Sequence, residues 1–155
     1  MILAPSAALS TRSEGRRDVA LFYVDSSALV KLLRKEQETS ALRAFLRAAE
    51  VISSELVVTE LPRAIRRAAA SNPALPLDLL IRRADRLLDT VAMVPLDRVQ
   101  LMAAGALAEP WLRAIDAIHV AAAIDIYPHD GFVSYDNRQS AAARLAGLRT
   151  FAPSN

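Results

Sequence analysis

The chain reads as an α/β protein, a three-layer α/β/α sandwich around a central parallel sheet. Two observations predict this. Short, uniformly apolar runs of strand length alternate with longer helical stretches, and strands apolar on both faces need helices on both sides. In addition, an acid follows directly on two of those segments, at Asp25 and Asp136. Ligands of parallel sheets bind beyond the carboxyl ends of the strands. With 155 residues, 53% of them hydrophobic, the chain suits one domain with a core large enough to be stable alone.

Residues 1–20 hold Pro5, Gly15, scattered Ser and Ala and the run Glu14-Gly15-Arg16-Arg17-Asp18, with neither a helical nor a strand period. They are expected to form a flexible leader ahead of a domain over residues 21–153. The apolar stretch Ile2 to Leu9 is short, interrupted by Pro5 and not preceded by basic residues, which argues against a secretory signal. No later stretch reaches about 18 uncharged apolar residues, so no membrane span is expected.

Ala20 to Val24 is a continuous apolar run, and Asp25-Ser26-Ser27 then opens the helical Ala28 to Leu33: strand, tight turn, helix. A helix over Thr39 to Ala49 and a short strand at Val51-Ile52 follow. A long helix opens near Ser53-Ser54 and passes Glu60, with Pro62 expected to kink it by removing a backbone donor. After the turn Asn72-Pro73-Ala74-Leu75-Pro76 the pattern predicts a helix over Leu77 to Asp89, a strand over Val91 to Val94 and a helix over Arg98 to Ala108. Beyond Glu109-Pro110-Trp111 it predicts a helix over Ala114 to Ile126, a strand over Gly131 to Tyr135, a helix over Asn137 to Leu145 and a last strand around Arg149 to Phe151. Gly147 is a natural helix stop.

Against this background four acids stand out: Asp25, Glu60, Asp116 and Asp136, each on a different segment. Burying an ionised carboxylate costs several kcal/mol unless it is paired, protonated or bound to a cation. Asp116 is the sharpest case, because the helix Ile115 to Ile124 around it is otherwise apolar except for His119. Simpler roles compete at every position. Asp25 and Asp136 suit helix N-caps. Glu60 has Arg63 and Arg67 within reach along its helix, and Asp116 has His119 and Arg113 three residues away on either side. What unites the four is oxygen-donor chemistry: clustered carboxylates raise one another's pKa, and a hard divalent ion such as Mg2+ or Mn2+ reverses that. A metal held on open carboxylates orients and acidifies water and neutralises charge on a phosphodiester, which points to phosphodiester hydrolysis.

Composition narrows the classes. There is no cysteine, so disulfides, thiolate zinc sites and a cysteine nucleophile are excluded, and a reducing cytoplasm is the expected location. The net charge is +2, and every cation among the 19 Lys and Arg is arginine except Lys31 and Lys35. Arginine holds phosphate bidentately, which permits a nucleic-acid partner. A phosphatase with an Asp nucleophile after its first strand would need a second Asp two residues on, where this chain has Ser27. Phospho-accepting receiver domains use a late lysine that is missing here.

The segments Tyr23-Val24-Asp25-Ser26-Ser27-Ala28-Leu29-Val30-Lys31, Ser54 to Ala64 around Glu60, Leu112 to Ala123 around Asp116, and Val133-Ser134-Tyr135-Asp136-Asn137-Arg138 together resemble the PIN-domain ribonucleases, in particular the VapC-type toxins of bacterial toxin–antitoxin systems. The resemblance covers residues 21–152, and its specificity lies in the order and spacing of the four motifs. It implies a PIN-like fold, with Asp25, Glu60 and Asp116 as a core triad and Asp136 as a more variable fourth acid around Mg2+ or Mn2+. It also implies endonucleolytic cleavage of RNA, a VapB-type antitoxin laid along apolar grooves near the acids, and a homodimer. The leader departs from the family pattern, in which the first strand starts within a few residues of the beginning.

Ser27 resembles the small hydroxyl residue that supports the first acid, a position where helix capping serves equally well. Asn137 suits either a metal shell or a helix start. Arg63, Arg66 and Arg67 near Glu60, with Arg138 and Arg144 near Asp136, are candidate RNA contacts, although solvated helix faces explain most such arginines. His119 is expected to support Asp116. Trp111, Tyr127 and His129 suit base stacking or ordinary packing. The competing function is a non-catalytic PIN-fold module that binds RNA or a partner and uses its acids as caps and ion pairs.

Overall fold

The computed structural model describes residues 19–155. The expected leader therefore lies outside the described residues up to residue 18, and Ala20 already belongs to the first strand. Five parallel strands form one sheet: β1 (Ala20–Val24), β2 (Ala49–Ser54), β3 (Ala92–Val94), β4 (Gly131–Val133) and β5 (Thr150–Phe151), in the order β3-β2-β1-β4-β5. Each connection is helical. α1 (Ser26–Leu33) and α2 (Thr39–Leu46) lead to β2, α3 (Val57–Ser71) and α4 (Leu77–Leu88) to β3, α5 (Arg98–Gly105) and α6 (Ala114–Asp125) to β4, and α7 (Asn137–Leu145) to β5.

Alternation along the strands builds the three layers. Phe22 and Val24 of β1 and Val133 of β4 point into a core with Leu29 and Leu33 of α1, Leu42 of α2, Leu61 and Ile65 of α3 and Leu80 of α4. Tyr23 and Phe132 point the other way, into a second core with Val120 and Ala123 of α6 and Ala142 and Ala143 of α7. The two rings stack with centroids 5.4 Å apart and planes 4° apart. Helices on both faces explain why the strands read as apolar throughout.

The largest departure from the sequence expectation is at β2. It runs six residues rather than two, and it takes Ala49 from the expected preceding helix and Ser53-Ser54 from the expected following one. Buried hydrogen bonds hold that polar end in the sheet: Ser53 Oγ donates to the Val24 carbonyl at 2.6 Å, and the Ser54 amide donates to the Tyr23 hydroxyl at 3.1 Å. Helix α3 consequently starts at Val57 and runs as one helix through Pro62 to Ser71. The fourth strand stops at Val133 and the fifth helix at Gly105, two and three residues short of expectation.

Candidate active site

The strand order reverses at β1, which has β2 on one side and β4 on the other, so a crevice opens beyond its carboxyl end. Asp25 sits there, fully buried. Its amide donates to the Val133 carbonyl at 3.1 Å, locking it between β1 and β4. The capping role expected for Asp25 is real: Oδ1 accepts from the Ala28 amide at 3.0 Å and from Ser27 Oγ at 2.7 Å. Oδ2 accepts from Ser134 Oγ at 2.6 Å. Burial raises the Asp25 pKa, and the nearby His119 together with the bonds from Ser134, Ser27 and Ala28 works against that rise.

Ser134 ties this acid to the next. Its Oγ accepts from the Asp136 amide at 3.0 Å while donating to Asp25. Asp136 in turn caps α7, with Oδ1 accepting from the amides of Arg138 at 2.8 Å and Gln139 at 2.9 Å. Asp136 and Gln139 stand in capping-box spacing, but Gln139 turns its side chain elsewhere and donates from Nε2 to Asp116 Oδ1 at 3.0 Å. Asp116 lies in the first turn of α6, and the exposed Arg113 guanidinium is 4.0 Å from its Oδ2. Burial raises the Asp116 pKa first, and the negative charge of Asp136 raises it further.

Glu60 reaches the same edge by another route. The partner Glu60 meets is not the competing Arg63 or Arg67 but His119, whose Nε2 lies 2.7 Å from Glu60 Oε2. His119 therefore does not support Asp116 through a hydrogen bond. Its other nitrogen, Nδ1, is 2.8 Å from the Tyr23 hydroxyl. Glu60 lines a cleft of about 560 Å3 together with Ser27, Lys31, Arg63, Arg67 and Ile115. Of the other arginines singled out from sequence, Arg66 and Arg138 are exposed, whereas Arg144, in the last turn of α7, donates to Thr150 Oγ1 at 3.0 Å and lies away from the acids. His129 is bound to the Gly131 and Ala123 carbonyls, which makes it a structural residue; Trp111 and Tyr127 are exposed.

Three short links thus connect the four acids: Asp25 to Asp136 through Ser134, Asp136 to Asp116 through Gln139, and Glu60 to helix α6 through His119. Among the described residues no three His, Asp or Glu side chains are grouped tightly enough to hold an ion as they stand. The donor chemistry nonetheless fits a hard divalent ion. The acids are oxygen ligands, two of them carry burial-raised pKa values, and Gln139 Oε1, buried beside Asp116, has no hydrogen-bond partner among the described residues. Sequence reasoning missed Ser134, Gln139 and Tyr23. The capping-box spacing of Asp136 and Gln139 was the available signal for one of them, whereas partners made across the fold left none.

The PIN-domain profile matches residues 22–145, a span that contains all four acids. The chain belongs to the PIN-domain family. Its relatives include Ribonuclease VapC35 of Mycobacterium tuberculosis, 37% identical over 140 residues that cover 86% of this chain and 97% of that protein. Ribonuclease VapC46 of the same species is 36% identical over 139 residues, 88% of this chain and 100% of that protein. Ribonuclease VapC47 is 34% identical over 139 residues. A crystal structure of VapBC2 from Rickettsia felis, bound to a DNA fragment from their promoter, superposes with a TM-score of 0.61 over 84% of this chain and 97% of the other at 12% identity, which shows a shared fold. Among the described residues no helix is long and apolar enough to cross a membrane.

Proposed function

We propose that this PIN protein is a metal-dependent endoribonuclease, the toxin of a VapBC-type pair, cleaving RNA phosphodiesters at Asp25, Glu60, Asp116 and Asp136 with Mg2+ or Mn2+. The observation that carries the reading is the convergence of these acids from four segments on one edge of the sheet, with Asp25 and Asp116 held where burial penalises their charge. Acids that served only as caps would gain nothing from that placement. The identity to proteins named as VapC ribonucleases supports the same reading.

When bound, the ion would supply Lewis acidity and an acidified water. The chain's own contribution is positional. Ser27, Ser134 and the Ala28 amide orient Asp25, Gln139 orients Asp116, and Arg63 and Arg67 on the cleft wall are placed to hold phosphates of a bound RNA. A VapB-type antitoxin and a second copy of the chain are the further partners of this reading. Both Asp136 cap bonds go to Oδ1, so capping and metal binding are compatible in that residue.

Induced expression in a bacterial host tests the biological half. Growth should arrest with the wild-type chain, continue with Asp116→Asn at equal protein level, and resume when the cognate antitoxin is co-expressed. Equal arrest by wild type and Asp116→Asn would remove the acids from the account.

A further inference from the structure

A chain of buried hydrogen bonds behind Glu60 is not accounted for by acid placement alone. Tyr23 is fully buried on β1, two residues before Asp25, and its hydroxyl oxygen already accepts the Ser54 amide proton at 3.1 Å. The hydroxyl proton is therefore free for His119 Nδ1 at 2.8 Å. A neutral imidazole that accepts at Nδ1 carries its proton on Nε2, and that nitrogen lies 2.7 Å from Glu60 Oε2. Every donor in the series meets one acceptor: Ser54 amide to Tyr23, Tyr23 to His119, His119 to Glu60. His119 is completely buried, so its ring has no water with which to exchange these partners.

We propose that Tyr23 and His119 are positioning residues for Glu60, the tyrosine selecting the histidine tautomer and the histidine fixing one carboxylate oxygen. The inference rests on the metal-nuclease reading above. Among the described residues Glu60 Oε1 has no hydrogen-bond partner, so the relay anchors Oε2 and leaves Oε1 for a ligand. The relay also joins β2 and β1, which leads directly into Asp25, to α3 and α6, which carry Glu60 and Asp116, so it ties the segments that present those three acids. Partners that orient a metal ligand through a hydrogen bond typically contribute about 10–100-fold in affinity.

Two measurements test this. In metal-free protein, 15N NMR of the imidazole should show His119 protonated at Nε2 and bare at Nδ1, a result that a merely space-filling ring would not require; protonation at Nδ1 alone would overturn the relay. Mn2+ titration should then show Tyr23→Phe binding about 10-fold or more weakly than wild type. His119→Gln, which keeps an amide donor for Glu60, should bind more tightly than His119→Leu. Wild-type binding of Mn2+ with Tyr23→Phe inside twofold of it would sink the relay and leave the nuclease reading standing. A wild-type protein that binds no Mn2+ would remove that reading and this inference with it, whatever the tautomer.

Discussion

Asp116 shows what a single residue reveals about this protein. The fold raises its pKa above the unfolded value, so protonation favours the folded state. Its contribution is full below the ordinary carboxylate range and is lost as pH rises through the raised value; Asp25 behaves in the same sense. Metal-free protein should therefore lose stability from these two groups as pH rises above the ordinary carboxylate range. Asp116→Asn keeps an acceptor for Gln139 while removing the repulsion with Asp136, so it should melt a few degrees higher than wild type in EDTA at neutral pH, at about 2–4 °C per kcal/mol. A lower midpoint for the variant, read by calorimetry, would show the acid to be a stabilising structural partner instead. Ser134→Ala should act oppositely: it removes a hydrogen bond to a buried carboxylate, and denaturant unfolding at neutral pH should show a loss of about 1.5–3 kcal/mol. The acids themselves were legible because a charge in an apolar run is anomalous in any fold. Ser134 and Gln139 were not, since their partners lie 109 and 23 residues away and a polar side chain in sequence does not declare which distant group it will meet.

At the scale of elements, the alternation of strand and helix was readable because buried parallel strands carry no polar face. Boundaries were less so. Ser53 and Ser54 look like a helix opening, and only the Val24 carbonyl and the Tyr23 hydroxyl, on a strand about 30 residues earlier, turn them into strand. The end of α7 was legible: Gly147 adopts φ +85°, its amide bonds to the Arg144 carbonyl and the Leu148 amide bonds to that of Ala143, a Schellman closure. Gly147→Ala should cost about 1–2 kcal/mol in equilibrium unfolding, because a Cβ is disfavoured in that region. Gly131 faces a different constraint. A Cβ there would collide with the Phe151 ring, itself packed on Phe22 and Phe45, and would press on the Arg149 carbonyl at 3.3 Å. Gly131→Ala should cost about 1–3 kcal/mol by overpacking, and no loss of stability would mean that β5 is free to shift.

On the scale of the whole molecule, one topological fact organises the rest. Placing β1 at the centre of a β3-β2-β1-β4-β5 sheet brings the ends of β1 and β4 side by side, and α6 and α3 deliver Asp116 and Glu60 to that edge. The family was legible because the order and spacing of four motifs match a known one; the substrate was not, since no surface pattern encodes which RNA the proposed nuclease would read. Ion binding should couple to the entire fold. Mn2+ at 100 times its Kd should stabilise the protein by about 2.7 kcal/mol, with EDTA restoring the original melting temperature. The most direct test mixes the purified chain, free of antitoxin, with total RNA in Mg2+ or Mn2+, beside parallel samples with EDTA and with Asp116→Asn, and maps the new RNA ends by sequencing. Defined ends that require both the ion and Asp116 are the expected result. Cleavage that persists unchanged in EDTA or in Asp116→Asn would contradict the metal-dependent carboxylate site.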